Sequence, residues 1–122
     1  MRVKGIVWLG MRTERFDEMR EFFVEITGLA PRDDPGLAVF DLASGDRIEV
    51  FDPTAGETYM DAPVVGFLVD DVGAARAELE SRGIEFLGPI QTGAGSSWSH
   101  FRAPDGHVYE LTELPAHPAN AT

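Results

Sequence analysis

A chain of 122 residues has the length of one domain, and 43% apolar with 25% charged residues is an ordinary globular composition. Its 21 acidic residues outnumber 10 basic ones, a formal charge of −11, which opposes nucleic-acid backbones and anionic membrane surfaces and favours cationic ligands. Cysteine is absent, which removes disulfides, thiolate nucleophiles, iron–sulfur clusters and cysteine zinc sites, so any metal must sit on His, Asp or Glu. No apolar run approaches the roughly 18 residues of a membrane span. The stretch from Gly5 to Met11 is followed by Arg12, Glu14 and Arg15 with no small-residue cleavage site, so it reads as a strand of a cytoplasmic protein and not as a secretory signal.

Residues 3–12 are rich in β-branched and aromatic side chains and predict a first strand. Thr13 can cap a helix beginning near Glu14, along which Phe16, Met19, Phe22, Phe23 and Ile26 recur at helical spacing. Gly28 ends it in the left-handed conformation. Asp33-Asp34-Pro35-Gly36 is a turn, and Leu37–Leu42 and Arg47–Phe51 are strands around a second turn, Ala43-Ser44-Gly45-Asp46. A connector without periodicity follows. Pro63–Val69 is again a strand, and Asp70 or Asp71 caps a second helix with Val72, Ala75 and Leu79 inward and Gly83 at its end. Ile84–Leu87 is a short strand and Gln91–Ser97 a mobile Gly/Ser loop. Trp98–Ala103 and His107–Thr112 form a hairpin around Pro104-Asp105-Gly106. The tail from Pro115 to Thr122 has no apolar face and is expected to fray.

The two halves match. Phe40, Gly45 and Glu49 recur 61 positions later as Phe101, Gly106 and Glu110, and Phe16 and Phe23 recur 56 positions later as Val72 and Leu79. One strand–helix–three-strand unit used twice explains this, with modules at about 3–52 and 63–114, a connector at 53–62 and the tail at 115–122. Each helix covers one sheet face, and the other face is available to a hollow. Strand alternation turns Tyr109 and Leu111 toward the helix, and Val108, Glu110 and Thr112 toward the hollow. In the first half Ile48 and Val50 meet the helix, and Arg47, Glu49 and Phe51 face the hollow. A type I turn with a glycine bulge at Pro104-Asp105-Gly106 pairs Ala103 with His107, Phe101 with Tyr109, and His100 with Glu110, with Trp98 opposite Thr112. A His–carboxylate pair can do acid–base work, contribute to a metal site, or simply satisfy its own hydrogen bonds. Trp8 and Trp98 serve as core aromatics or as stacking surface. His107 and His117 read as solvated.

Four stretches carry a resemblance: the helix from Phe16 through Phe22-Phe23 to Gly28-Leu29; Arg47-Ile48-Glu49-Val50-Phe51; Val65 to Val72; and Phe101 to Leu111 with its Pro-Asp-Gly turn and Glu110 four residues after Gly106. Through them the chain, over about residues 3–114, resembles the vicinal-oxygen-chelate superfamily of glyoxalases, extradiol dioxygenases and bleomycin-resistance proteins. The resemblance implies an α+β fold of two tandem βαβββ modules forming a cupped mixed sheet around a cavity. In the metal enzymes of that group each module commonly supplies a His on its first strand and a Glu on its last. The last-strand positions fall on Glu49 and Glu110, but the first-strand positions fall on Trp8 and Val64, which cannot bind a metal. No cofactor is therefore expected, and a divalent metal only if Glu49, Glu110 and His100 hold it together.

The sequence thus stands nearer to the metal-free binding members of the group. On this reading the protein sequesters a cationic or aromatic small molecule, with Trp8, Phe51 and Trp98 as apolar or stacking surface and Glu49, His100 and Glu110 as polar contacts. The alternative is an enzyme, a lyase, isomerase or dioxygenase, in which Glu110, His100 and Glu49 act around a divalent ion or as acid and base. A third reading is a domain whose cavity is filled by side chains and which serves partner contacts. A homodimer is expected, since such modules pair within one chain or across two.

Overall fold

The computed structural model describes residues 1–120. Elements follow in the order β1 (Gly5–Arg12), α1 (Phe16–Thr27), β2 (Arg32–Asp34), β3 (Leu37–Asp41), β4 (Arg47–Phe51), β5 (Val64–Leu68), α2 (Val72–Ser81), β6 (Phe86–Gly93), β7 (Ser96–Arg102) and β8 (Val108–Glu113). This is an α+β chain in which a βαβββ unit occurs twice, as the internal repeat implied. By its contacts the chain divides into Trp8–Val64 and a second unit of Met1–Val7 with the residues from Val65 onward. The N-terminal residues thus go with the second unit. There the Lys4 amide donates to the Leu68 carbonyl at 2.8 Å, Lys4 pairs with Asp70, and the terminal ammonium lies 3.1 Å from Glu78.

In the first unit the strands run in the order β2-β3-β4-β1, with β1 parallel to β4 and the other pairs antiparallel. Helix α1 lies on one face, where Phe23 packs with Met11, Ala38, Phe40 and Val50, and Leu9, Phe16, Met19 and Ile48 close the margins. Phe40 is fully buried, and burial of a side chain of that size contributes about 1.5–3 kcal/mol. The apolar stripe of α1 is narrower than its spacing suggests: Phe22 and Ile26 stay 49% and 60% exposed, because the contact runs through Phe16, Met19 and Phe23. The helix starts at Phe16 and not at Glu14, since the Thr13 hydroxyl accepts from the Arg15 amide in a local turn and caps no helical N–H. Gly28 closes the helix at φ 70°, as expected. Asp33 and Asp34, expected in a turn, belong with Arg32 to the three-residue strand β2, exposed throughout.

In the second unit the order is β5-β8-β7-β6, with β5 parallel to β8. Helix α2 brings Val72, Ala75 and Leu79 onto Val69, Phe101 and Leu111, and Tyr109 stacks between Phe67 and Phe101 at ring separations of 5.7 and 6.1 Å. Asp71 caps α2 by accepting from the Ala74 amide at 2.9 Å, and Glu113 accepts from the Val72 amide at 3.0 Å. The hairpin about Pro104-Asp105-Gly106 has the register read from its turn: Phe101 faces Tyr109, His100 faces Glu110 and Trp98 faces Thr112. The segment expected as a Gly/Ser loop is corrected. Residues 91–93 continue β6 and 96–97 begin β7, joined by Ala94 and Gly95 at φ 49° and 79°, a tight hairpin turn. Strand β6 is broken by a register shift between Leu87 and Gln91, around Gly88 at φ 82° and Pro89. In the tail, Pro118–Asn120 form a 3-10 turn, with the Asn120 side-chain Nδ2 donating to the Leu114 carbonyl at 2.6 Å; the rest of the segment expected to fray, Ala121 and Thr122, lies outside the described residues.

Candidate functional site

The face of the first unit away from α1 carries Trp8 and Gly10 from β1, Arg47, Glu49 and Phe51 from β4, and Leu37, Val39 and Asp41 from β3. Gly10 and Val39 flank Glu49 on its two sides in the register. Trp8 is 9% exposed, and its indole Nε1–H donates to Glu49 Oε1 at 2.5 Å. Phe51 is half-buried, one step along the same face, between Leu37 and Arg12. Arg47 pairs with Asp41 at 3.1 Å and Arg32 pairs with the same carboxylate at 2.6 Å. The hydrogen bond from Arg32, reinforced by Arg47, holds the Asp41 carboxyl below its ordinary value.

In the second unit the corresponding face carries His100 and Glu110, each 4% exposed, with Thr112 at 5%. His100 Nε2 lies 2.9 Å from Glu110 Oε2, and the Thr112 hydroxyl donates to Glu110 Oε1 at 2.6 Å. One oxygen of the buried carboxylate thus accepts a hydrogen bond, and the other lies close to the His100 ring without hydrogen-bond geometry. Thr112 was placed on this face by strand alternation, but its bond to Glu110 was not foreseen; the i, i+2 spacing was the available signal. Trp98 is half-buried, with its ring over Gly93 of β6. Val64 is 1% exposed and wholly apolar.

Arg76 of α2 was missed by the sequence reading. It donates to the Gly88 carbonyl at 2.7 Å and to the Ser99 hydroxyl at 3.2 Å, and its guanidinium lies 4.9 Å from the centre of the Phe86 ring. It also pairs with Glu80, one helical turn on, at 3.5 Å, but the other three contacts lie at least 10 positions away in sequence and no local pattern marks them. His107 pairs with Asp105 at 3.0 Å in an exposed turn, and the hydrogen bond lowers the Asp105 carboxyl below its ordinary value. A cleft of about 290 Å³ in the second unit is lined by Arg2, Val69, Asp70, Ala75 and Glu78 among others, and by none of the expected ligand residues.

The superfamily's metal does not fit these residues. Trp8 and Val64 offer no ligand atoms where a first-strand His would stand, and the Glu49 carboxylate takes an indole N–H there instead. Among the described residues no three His, Cys, Asp or Glu side chains group as a metal site.

Comparison with known proteins agrees with the fold. Methylmalonyl-CoA epimerase from Mycobacterium tuberculosis superposes with a TM-score of 0.68 at 19% identity, over 98% of this chain and 93% of that one. A Streptomyces coelicolor methylmalonyl-CoA epimerase in complex with 2-nitronate-propionyl-CoA gives 0.68 at 18% identity, over 94% and 100%. An NAD-dependent benzaldehyde dehydrogenase structure from Legionella pneumophila gives 0.65 at 16%, over 88% and 97%. Identities this low speak for the fold alone. No curated protein matches the chain. The family model of the Glyoxalase/Bleomycin resistance protein/Dioxygenase superfamily matches residues 5–111, nearly the whole length, and the chain belongs to that superfamily.

Proposed function

We propose that this protein binds a cationic or aromatic small molecule and does so without a metal. The observation that carries the reading is the indole N–H of Trp8 on Glu49. It puts an organic hydrogen-bond donor at the position where a metal enzyme of this fold would place a ligand. Phe51, half-buried on the same face as Trp8 and Glu49, supplies flat apolar surface of the kind that aromatic ligands stack on, as Trp98 does on the corresponding face of the second unit. The formal charge of −11 enriches cations around the protein. Titration calorimetry against aromatic cations such as berberine and against cationic peptide antibiotics tests this. At least one compound is expected to bind, unaffected by EDTA, with affinity falling about tenfold, or about 1.4 kcal/mol, in Glu49→Gln. Binding that requires added divalent metal, or no binding by any compound, overturns the proposal.

A second reading, an acid–base enzyme, is favoured by one observation: a buried carboxylate lies 2.9 Å from His100 Nε2, a pairing of the kind general bases use. Methylmalonyl-CoA epimerases are among the similar folds. Exchange of the α-proton of an acyl-CoA in D2O, catalysed by this protein and lost in His100→Gln, would decide for this reading over simple binding.

A further inference from the structure

In the first unit the indole of Trp8 lies along its own strand. A Cβ placed on Gly10 would fall 2.0 Å from Cη2, 2.1 Å from Cζ2 and 2.8 Å from Cζ3 of that ring. Non-bonded carbons settle at about 3.5–4.0 Å, so any side chain at this position evicts the ring. Gly10 is at the same time the register partner of Glu49 on the neighbouring strand. The bare α-carbon of Gly10 therefore makes the bed in which the indole lies, and from that bed its Nε1–H reaches Glu49 Oε1 at 2.5 Å. Val39, on the other flank of Glu49, is apolar and cannot take this role.

The second unit shows that the arrangement is particular to the first. Gly66 stands beside Glu110 in the same parallel register as Gly10 beside Glu49. Val64 occupies the place of Trp8, and the polar neighbour, His100, comes instead from the strand on the other flank. The repeat thus positions its last-strand carboxylate from opposite sides in its two copies.

We infer that Trp8 is a positioning residue for Glu49 and that Gly10 is what allows it to be one. A hydrogen bond to a carboxylate is stronger than a neutral one, and a ring that is 9% exposed has few other arrangements open to it. The Glu49 carboxylate is therefore presented in one orientation to whatever approaches it. This rests on Glu49 as the ligand-contacting carboxylate, but its test requires no ligand, so the two fail separately.

The chain has two tryptophans, Trp8 and Trp98, hence two indole N–H signals in a proton–nitrogen correlation spectrum, assigned with Trp98→Phe. The Trp8 proton is expected downfield of that of Trp98 and slower to exchange with solvent. Glu49→Gln shifts it upfield and leaves the Trp98 signal in place. Gly10→Ala moves it to the position of a solvated indole. Because Gly10→Ala strains the fold, its cost is also read in a Trp8→Val background, which copies the second unit at Val64. There Gly10→Ala should lower the melting temperature far less than it does beside the indole. A Trp8 signal indifferent to Glu49→Gln, or an equal melting loss in both backgrounds, overturns the inference.

Discussion

His100, Glu110 and Thr112 form a chain of polar groups on a face where each is 5% exposed or less. Taking a carboxylate out of water is costly, and close polar neighbours offset that cost only while all of them are present. Truncating one member of a buried pair costs about 3–5 kcal/mol because the other is left uncompensated. His100→Ala is accordingly expected to lower the free energy of unfolding by roughly 3 kcal/mol, measured in urea. Adding Glu110→Leu should recover part of that loss, since the stranded carboxylate is then gone. A loss below about 1 kcal/mol for His100→Ala would place the pair with exposed ion pairs, which contribute little. The first unit draws a different contrast at this scale: Val39 stands where the repeat puts His100, and the hydrogen bond from Trp8 to Glu49 comes from the opposite flank. The partnership of His100 and Glu110 was legible in the sequence, because a Pro-Asp-Gly turn sets the register of its hairpin. The bond from Trp8 to Glu49 was not, because it depends on the direction in which a large ring folds over a glycine, and strand alternation says nothing of that.

Among the elements, the β6–β7 hairpin holds the one non-glycine residue at positive φ among those described, Ala94 at 49°. A left-handed backbone costs an ordinary L-residue about 1–2 kcal/mol, and asparagine bears it best while keeping a side chain. Ala94→Asn ahead of Gly95 should therefore raise stability by about 0.5–1 kcal/mol, seen as a higher melting temperature. An unchanged or lower melting temperature would mean that the turn is relaxed as it stands. The same alanine explains why this hairpin escaped the sequence reading. Its flanks are rich in Gly and Ser, and nothing in Ala94 announces a turn, whereas Pro104 and Gly106 announce theirs. Helix α1 teaches a related lesson. The recurrence of Phe16, Met19, Phe22, Phe23 and Ile26 finds the helix, but only the packing against β3 and β4 decides that Phe23 is covered and Phe22 is not. Thr13 likewise has the chemistry of a cap but stands two residues before the capping position, Arg15, and spends it on a turn there.

Across the molecule the charge is organised and not merely abundant. Arg12 pairs with Asp61, Arg20 with Asp33, and Arg32 and Arg47 with Asp41. The arginine hydrogen bonds hold Asp33, Asp41 and Asp61 below the ordinary value of 3.8. The folded state therefore binds protons at these sites less readily than the unfolded chain does. Their contribution is fully present well above 3.8 and is lost as pH falls from there through the lowered folded values. Melting temperature is expected to hold near neutral pH and to fall as pH drops below about 4, less steeply in Asp41→Asn. A flat profile down to about pH 3 would contradict this. These pairs are exposed, so they set the acid limit more than they set the stability at neutrality.

Strands β2 and β6 are the outermost strands of their units, and neither presents a continuous row of backbone donors and acceptors. β2 is three residues long and made only of Arg32, Asp33 and Asp34. β6 is longer, but Gly88 and the register shift bend it, Pro89 withholds an N–H, and Arg76 takes the Gly88 carbonyl. A foreign strand that tried to extend either sheet would find a short charged stub on one and an interrupted ladder on the other. Fibrillar growth begins by such strand addition, and at these two borders the fold withholds its template.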